Sequence, residues 1–224
     1  MKLRAATAQL LSLSKTILQH YFQSKQQNAA MSDLEKLVVM NLQCLTNWTR
    51  LRSSVTVRVL FEHQLFDALF DVIQQTPALF SAGVDLLLEV LSISPAAPHI
   101  VSGATLAATS LHLSAPPEVI AHVFTRIAAL RPLYLAAAGK QGMEHLAVCR
   151  SASQLIVGVG ELNSPILASG IANNPIVKEY LAFALDCTGH PSKEVSELCL
   201  GFWSSLATDI KQKQEVRFLQ SHFN

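Results

Sequence analysis

The stretch DCTGHPSKEVSELCLGFWSSL, residues 186–206, concentrates the side chains that could do chemistry, with two cysteines, a histidine and three carboxylates. A closed zinc site needs three or four convergent ligands. Cys187 and His190 have a usable spacing, but Cys199 falls on an apolar helical stripe and no fourth ligand is evident. We therefore predict no metal and no cofactor here, and interpret the stretch as a turn between two packed helices.

The residues after the turn follow a helical pattern. Pro191 suits the first turn of a helix, where its missing N–H would be unpaired in any case. Glu194 and Glu197 lie off the apolar stripe and are expected to face solvent. The stripe itself recurs at spacings of three and four: Val195, Leu198, Cys199, Phe202 and Leu206.

No other motif predicts catalysis. His145 and Cys149 are one helical turn apart, but a nucleophile site needs a further group that orients the base, and none is nearby. The glycines of residues 158–170 follow no strand and lack the lysine of a phosphate loop. A nucleophile elbow is absent from the sequence. We therefore predict no enzyme, and place Trp48 and Trp203 in the core.

Composition narrows the function classes further. The chain has 224 residues, of which 50% are hydrophobic and 15% charged, with a net charge of +1. This balance argues against disorder and gives no electrostatic reason to bind nucleic acid directly. No run of eighteen apolar residues predicts a membrane span. The four cysteines form no C-x-x-C pair, which favours reduced thiols in an intracellular protein.

The N-terminal segment allows two interpretations. It carries lysine and arginine but no acid before Asp33. A basic, acid-free, amphipathic segment is typical of a mitochondrial presequence. It is equally typical of an ordinary first helix, because apolar side chains recur at helical spacing. These side chains are Leu3, Leu10, Leu13, Ile17 and Tyr21.

Helices are predicted almost throughout, and no segment alternates as a strand would. Their start signals are a capping box at Ser32 and Glu35, and cap-plus-proline steps at Thr76-Pro77 and Asn174-Pro175. The predicted class is all-α. The helices form pairs at about 3–51, 62–93, 117–161 and 174–210. A long connection at 95–115, which holds a short helix at 102–112, joins the second pair to the third. Recurring helix pairs favour a HEAT/armadillo-like α-solenoid of stacked antiparallel helix pairs over residues 1–224, with a compact helical bundle as the alternative.

Three segments carry a family resemblance. CTGHPSKEVSELCLGFWSSL (187–206), LQCLTNWTRL (42–51) and LFDALFDVIQQ (65–75) resemble the karyopherin-β (importin-β) family, in its transportin-SR/importin-13 branch. The first has that branch's C-x-G-H-P turn, E-V-x-E helix and Phe-Trp pair, and the second has its Cys-Leu-x-x-Trp helix. Similar elements occur in the same order over residues 1 to about 212.

The resemblance implies a function. Members of this family carry cargo between cytoplasm and nucleus under control of the GTPase Ran, and they are several times as long as this chain. The region they share with it follows their main Ran-binding repeats. We therefore expect an internal segment of a nuclear transport receptor that binds Ran-GTP weakly or not at all. The alternative is a helical-repeat scaffold with no transport activity of its own.

Two acidic pairs are the candidate cargo-binding residues. Asp85 and Glu89 stand at i and i+4, and Glu194 and Glu197 at i and i+3, each pair on the second helix of its hairpin. Second helices line the concave face of a HEAT solenoid, so the four carboxylates could form an acidic trough for basic or Arg-Ser-rich cargo segments. The alternative is an ordinary solvated face. Asp67 and Asp71, on a first helix, are expected on the convex side.

Overall fold

The computed structural model describes residues 2–26, 32–50, 57–92, 117–170 and 173–223, which form helices and turns and no strand. The predicted all-α class is confirmed for these residues. The predicted connection at 95–115 and its short helix at 102–112 lie outside them. The helices of the described part are α1 (Lys2–Gln26), α2 (Ser32–Arg50), α3 (Val57–Glu62), α4 (Leu65–Ile73), α5 (Pro77–Ser92), α6 (Pro117–Ala128), α7 (Arg131–Ala138), α8 (Met143–Leu162), α9 (Ser164–Gly170), α10 (Pro175–Thr188), α11 (Lys193–Ser196) and α12 (Cys199–Phe223).

The chain divides into two compact units, and each is described by itself. The first comprises Met1–Ile93 and Lys140–Ser151, and the second comprises Ser94–Gly139 and Ala152–Asn224. The boundary therefore falls within α8. The prediction of one solenoid over residues 1–224 stays a prediction.

In the first unit, α1 and α2 form an antiparallel pair. Trp48 Nε1 donates a hydrogen bond to Thr7 Oγ1 at 3.2 Å, and Asn41 Nδ2 donates one to Ser14 Oγ at 3.1 Å. The first contact joins the start of α1 to the end of α2, and the second joins the middles of the two helices. Trp48 was predicted to lie in the core but is only half-buried. Its indole N–H donates to this polar partner, which keeps part of the ring at the surface.

Of the apolar stripe predicted for α1, Tyr21 is buried, but the register of the other described members is wrong. Leu13 is 56% exposed, and Leu10 and Ile17 are only half-buried. Apart from Tyr21, the buried residues of α1 lie one position later along the helix, because the partner helices cover that side. The buried residues are Thr7, Leu11, Ser14, Leu18 and Tyr21.

The next helices of the first unit pack on this pair, with α4 against α1 and α5 against both α2 and α4. The predicted helix over 62–75 is interrupted, because Gln64 has a left-handed backbone (φ 57°). The turn lets Phe61 stack on Phe66, with ring centroids 4.4 Å apart. The predicted stripe of Leu65, Leu69 and Ile73 is confirmed as buried, as are its neighbours Phe66 and Phe70.

In the second unit, the core lies where α6, α8, α10 and α12 meet. Tyr180 of α10 is fully buried, with its ring 4.9 Å from that of Phe124 on α6. Its hydroxyl donates a hydrogen bond to the carbonyl of Ile156 on α8. Gly160 of α8 has no room for a side chain, because a Cβ there would lie 2.6 Å from the ring of Phe202 on α12. A glycine at this position therefore lets α8 and α12 approach closely.

Proline and asparagine set the helix starts of the second unit. Asn174 Oδ1 accepts the N–H of Ile176 at 2.9 Å, which confirms the predicted cap of α10. The break predicted at Pro132 lies just before it, at residues 129–130, because a proline is tolerated in the first turn of the following helix, α7. Helix α9 was not predicted, and the helix expected to end at 210 continues to Phe223.

One stretch of the described residues, 119–138, is long and apolar enough to cross a membrane by length and composition alone. The sequence-based expectation, which looked only for unbroken apolar runs, did not find it. The stretch contains the turn at 129–130, and its buried residues include Val123, Ile127 and Tyr134. A core helix passes the same test, so the finding is weak evidence for a span.

Candidate functional site

The stretch at residues 186–206 is a turn between helices, as predicted. Helix α10 ends at Thr188, and the following helix comes in two parts, α11 and α12, separated by residues 197–198. Of the predicted stripe, four members are buried and Leu198 is half-buried. Trp203 is half-buried, and its indole Nε1 donates to Thr188 Oγ1 at 2.7 Å.

His190 holds the turn together. Its Nδ1 accepts the backbone N–H of Ser192 at 3.0 Å, and its ring lies 6.1 Å from that of Tyr134 on α7. The lone pair of Nδ1 is the acceptor of this hydrogen bond. The same nitrogen is not free to bind a metal in this arrangement.

The thiols beside the turn are buried. Cys187 and Cys199 have no exposed surface. Burial raises the pKa of the Cys187 thiol to about 12, and also raises the pKa of Cys199. A neutral thiol is a poor nucleophile and a poor metal ligand. Across the residues that the structure describes, no group of three or more histidine, cysteine and acidic side chains could hold a metal ion.

The pair of His145 and Cys149 does not form a nucleophile site either. Cys149 is fully buried, and burial raises its pKa, which keeps the thiol protonated. His145 is only half-buried, on the preceding turn of α8. A reactive cysteine needs the opposite environment, with a lowered pKa and access for a substrate.

The first acidic pair is tied to another helix. Glu89 Oε2 accepts a hydrogen bond from Arg50 Nε of α2 at 3.0 Å, and its side chain is only 26% exposed. Asp85 is exposed on the preceding turn of α5. Partial burial raises the pKa of Asp85, and the nearby charge of Arg50 opposes that shift. This pair therefore presents one free carboxylate beside a carboxylate that is already partly neutralised.

The second acidic pair has its ion pair within the same stretch of helix. Glu194 lies on α11 and Glu197 just after it, and both are exposed. Glu197 pairs with Lys193 at 3.3 Å, and both side chains are more than half exposed. Such an exposed pair at i and i+4 contributes only about 0.3–0.5 kcal/mol, so a competing cation could displace the lysine at little cost.

The candidate residues belong to different units. Asp85 and Glu89 lie in the first unit, and Glu194 and Glu197 lie in the second. The trough that would combine them stays a prediction, and each pair is considered alone. Asp67 and Asp71, chosen for contrast, are exposed on α4 of the first unit.

Sequence reasoning missed an ion pair between two helices of the second unit. Arg131 Nε on α7 donates to Asp186 Oδ2 on α10 at 2.5 Å, and both side chains are partly exposed. Tyr134 adds a hydrogen bond from its hydroxyl to the carbonyl of Asp186 at 3.3 Å. The two charges are 55 residues apart, so no local pattern relates them. The contact fixes α7 beside the turn at 186–206.

These environments suit binding better than covalent chemistry. The buried thiols are held neutral, His190 is engaged in a turn, and the exposed carboxylates offer negative charge and hydrogen-bond acceptors. A comparison with protein-family models, curated proteins and solved structures finds no significant match to this chain.

Proposed function

We propose that this chain is a HEAT-like solenoid segment of the karyopherin-β type, which binds protein cargo that carries basic or Arg-Ser-rich segments. The proposal places the protein in the cytoplasm and nucleus as part of a nuclear transport receptor. Its first support is the resemblance of residues 42–51, 65–75 and 187–206 to the transportin-SR/importin-13 branch. Ran-GTP is not a proposed partner, because no Ran-contacting residue can be carried over to this chain.

The observation that carries the proposal is how successive helix pairs pack. In the first unit, the first helices α1 and α4 contact each other, as do the second helices α2 and α5. In the second unit, α6 packs on α10, while Gly160 of α8 packs on Phe202 of α12. First-on-first and second-on-second packing is how a helical solenoid repeats, whereas a closed bundle has no such rule.

The acidic pairs supply the negative charges that would bind a basic cargo segment. Asp85 and Glu194 are exposed carboxylates on second helices, where a passing peptide could meet them. An arginine of such a peptide would form charge-assisted hydrogen bonds with either one. Because each exposed contact is worth only about 0–1 kcal/mol, we expect modest affinity that falls as salt rises.

The ion pairs within the acidic patches favour the alternative, a scaffold that binds no basic cargo. Arg50 already forms an ion pair with Glu89, and Lys193 forms one with Glu197. A carboxylate with an internal partner has a structural use of its own, and its presence does not require an external ligand. The two functions differ in whether removing these charges changes binding to a basic peptide.

The test is a fluorescence-anisotropy titration of the full chain with a labelled Arg-Ser-rich peptide at two salt concentrations. Asp85→Asn with Glu194→Gln should weaken binding several-fold, and the difference should shrink at high salt. Charge neutralisation is preferable to reversal, since a lysine at position 89 would repel Arg50 and lower stability.

The matched control is Asp67→Asn with Asp71→Asn, which removes the same net charge from a first helix. If this control weakens the peptide equally, the effect is bulk charge and the proposed cargo surface is wrong. If the wild-type chain binds no basic peptide at low salt, the scaffold alternative is favoured instead.

A further inference from the structure

Arg50 places a positive charge of the chain itself on one of the candidate cargo-binding residues. It lies in the last turn of α2, and Glu89 lies in the last turn of α5. Arg50 Nε donates a hydrogen bond to Glu89 Oε2 at 3.0 Å. The two residues are 39 positions apart in the chain, so helix packing brings them together. A cation of the protein thus lies where an arginine of the cargo would have to bind.

The charge of Arg50 also acts on Asp85, the other member of the first acidic pair. Asp85 is exposed one helical turn before Glu89. Partial burial raises the pKa of this carboxyl, and the nearby charge of Arg50 works in the opposite direction. A cation that favours the ionised form of a carboxylate also weakens its attraction for any other cation. Arg50 therefore affects both carboxylates of this pair.

The second acidic pair has a cation that is easier to displace. Lys193 and Glu197 stand at i and i+4, with side chains 84% and 56% exposed. Glu89, in contrast, is only 26% exposed beside Arg50. Water and salt screen the more exposed pair more strongly. The two acidic pairs therefore differ in how strongly the chain itself competes for them.

We propose that Arg50 is an internal competitor of the cargo, which lowers the affinity of the first acidic pair for basic segments until a cargo arginine displaces its guanidinium from Glu89. This inference rests on the proposed cargo binding and adds a restraint to the same surface. Its consequence is a pair of opposite effects. Removing Arg50 should tighten cargo binding although it takes away a contact between two helices.

The displacement is an exchange of equivalent contacts. The hydrogen bond from Arg50 to Glu89 breaks, and one from the arriving guanidinium forms, so the partly buried carboxylate keeps a partner. Arg50 can turn into water, because its side chain is already 60% exposed. A guanidinium can form two parallel hydrogen bonds with a carboxylate, which an ammonium cannot do. Arginine should therefore displace Arg50 better than lysine, so the first pair should prefer Arg-rich to Lys-rich segments.

The experiment is the anisotropy titration of the full chain with the labelled Arg-Ser-rich peptide at low salt. Arg50→Gln should lower the dissociation constant about two- to fivefold, the factor expected from a partly exposed ion pair. The same variant should unfold at slightly lower urea concentration, because an ion pair between α2 and α5 is lost. A residue that served only to join the helices would not tighten the peptide when removed.

Two variants with the same change of net charge are the controls. Lys36→Gln removes a cation of α2 whose partner is Asp33, outside the candidate surface. Lys193→Gln removes the more exposed cation of the second acidic pair. We expect at most about a twofold gain in affinity from each. A larger gain in Arg50→Gln is then specific to its position.

Two further measurements test whether Arg50 acts through the carboxylates. The pKa of Asp85, followed by carbon NMR of its carboxyl group, should rise in Arg50→Gln because the opposing positive charge is gone. In a chain that already carries Asp85→Asn and Glu89→Gln, adding Arg50→Gln should no longer tighten the peptide. The carboxylates for which the two cations compete are then absent.

The outcomes separate the restraint from the proposed cargo binding. If no variant binds the peptide, the proposed function is wrong and the restraint is wrong with it. If wild type binds the peptide but Arg50→Gln binds no tighter than Lys36→Gln, only the restraint is wrong. A gain that persists without the carboxylates of Asp85 and Glu89, or a pKa of Asp85 that Arg50→Gln leaves unchanged, would also overturn it.

Discussion

The pairs α1–α2 and α10–α12 are built alike, yet their sequences predict their cores with different success. In each, a half-buried tryptophan of the second helix donates its indole N–H to a threonine of the first, Trp48 to Thr7 and Trp203 to Thr188. On α11 and α12 the predicted apolar stripe is the buried one. On α1 Tyr21 of the predicted stripe is buried but Leu10, Leu13 and Ile17 are not, and the buried residues include two polar ones.

The difference shows when apolar spacing identifies the buried face of a helix. Helix α12 has one apolar stripe near its start, so its spacing leaves no choice. Helix α1 has two neighbouring stripes, and the one with more leucine and isoleucine is not the one its partners cover. Ser14 can be buried there because its hydroxyl bonds to the carbonyl of Leu10 and accepts from Asn41. Satisfied polar groups cost little when buried.

The largest expected effect tests the pair whose core was predicted. Phe202→Ala removes a fully buried ring that packs against Gly160. We expect a loss of about 3–5 kcal/mol in the free energy of unfolding, from lost burial and the cavity left behind. Urea unfolding measures it, with the half-buried neighbour Ser205→Ala as the control. A loss below about 1 kcal/mol would mean that this stripe is not the core of the pair.

The next prediction separates the two stripes of α1. Leu11→Ala should cost about 2–4 kcal/mol, because Leu11 is fully buried. Leu13→Ala should cost at most about 0.5 kcal/mol, because Leu13 is 56% exposed. The measurement is urea unfolding of both variants under the same conditions. Equal losses of stability in the two variants would mean that Leu13, as the sequence predicts, also lies on the buried side of α1.

The two helix pairs also differ in the burial of their cysteines, because Cys44 is exposed and Cys187 is buried. The folded pKa of Cys187 is raised from 9.0 to about 12, so the thiol stays neutral in the folded state while the unfolded chain ionises. Its contribution to stability is therefore complete below about pH 9 and is lost between about pH 9 and 12.

Thermal unfolding across this pH range measures the effect. Cys187→Ala should remove part of the alkaline decline in stability. An unchanged pH profile for Cys187→Ala would show that Cys187 is not the group held neutral by burial.

The smallest effects are expected from the acidic pairs. A double-mutant cycle on Arg50 and Glu89 should give a coupling of about 0.5–1 kcal/mol, since Glu89 is partly buried against α2. The cycle on Lys193 and Glu197, which are more exposed, should give about 0.3–0.5 kcal/mol. Both couplings should fall with added salt, the second more steeply. The reverse order would mean that partial burial does not strengthen the first pair.

Much of the architecture could be predicted from local signals. The all-α class, the caps at Thr76 and Asn174 and the turn at 186–206 all depend on neighbouring residues, and each appears in the structure. The break at Gln64 was not predicted, because no glycine or proline marks it and Gln64 itself takes the left-handed backbone. The candidate acidic residues were found by spacing, but the involvement of Arg50 with Glu89 was not, since the two are 39 residues apart.

The sequence by itself determined the all-α class, the helix starts marked by caps and prolines, and which catalytic motifs are absent. Capping, proline placement and apolar spacing act within a few residues, so they can be recognised locally. Only the tertiary structure decided which stripe of α1 is core and which is surface, which carboxylates already have a cation, and which thiol is accessible. These outcomes depend on residues that are distant in the chain and meet only when the helices pack.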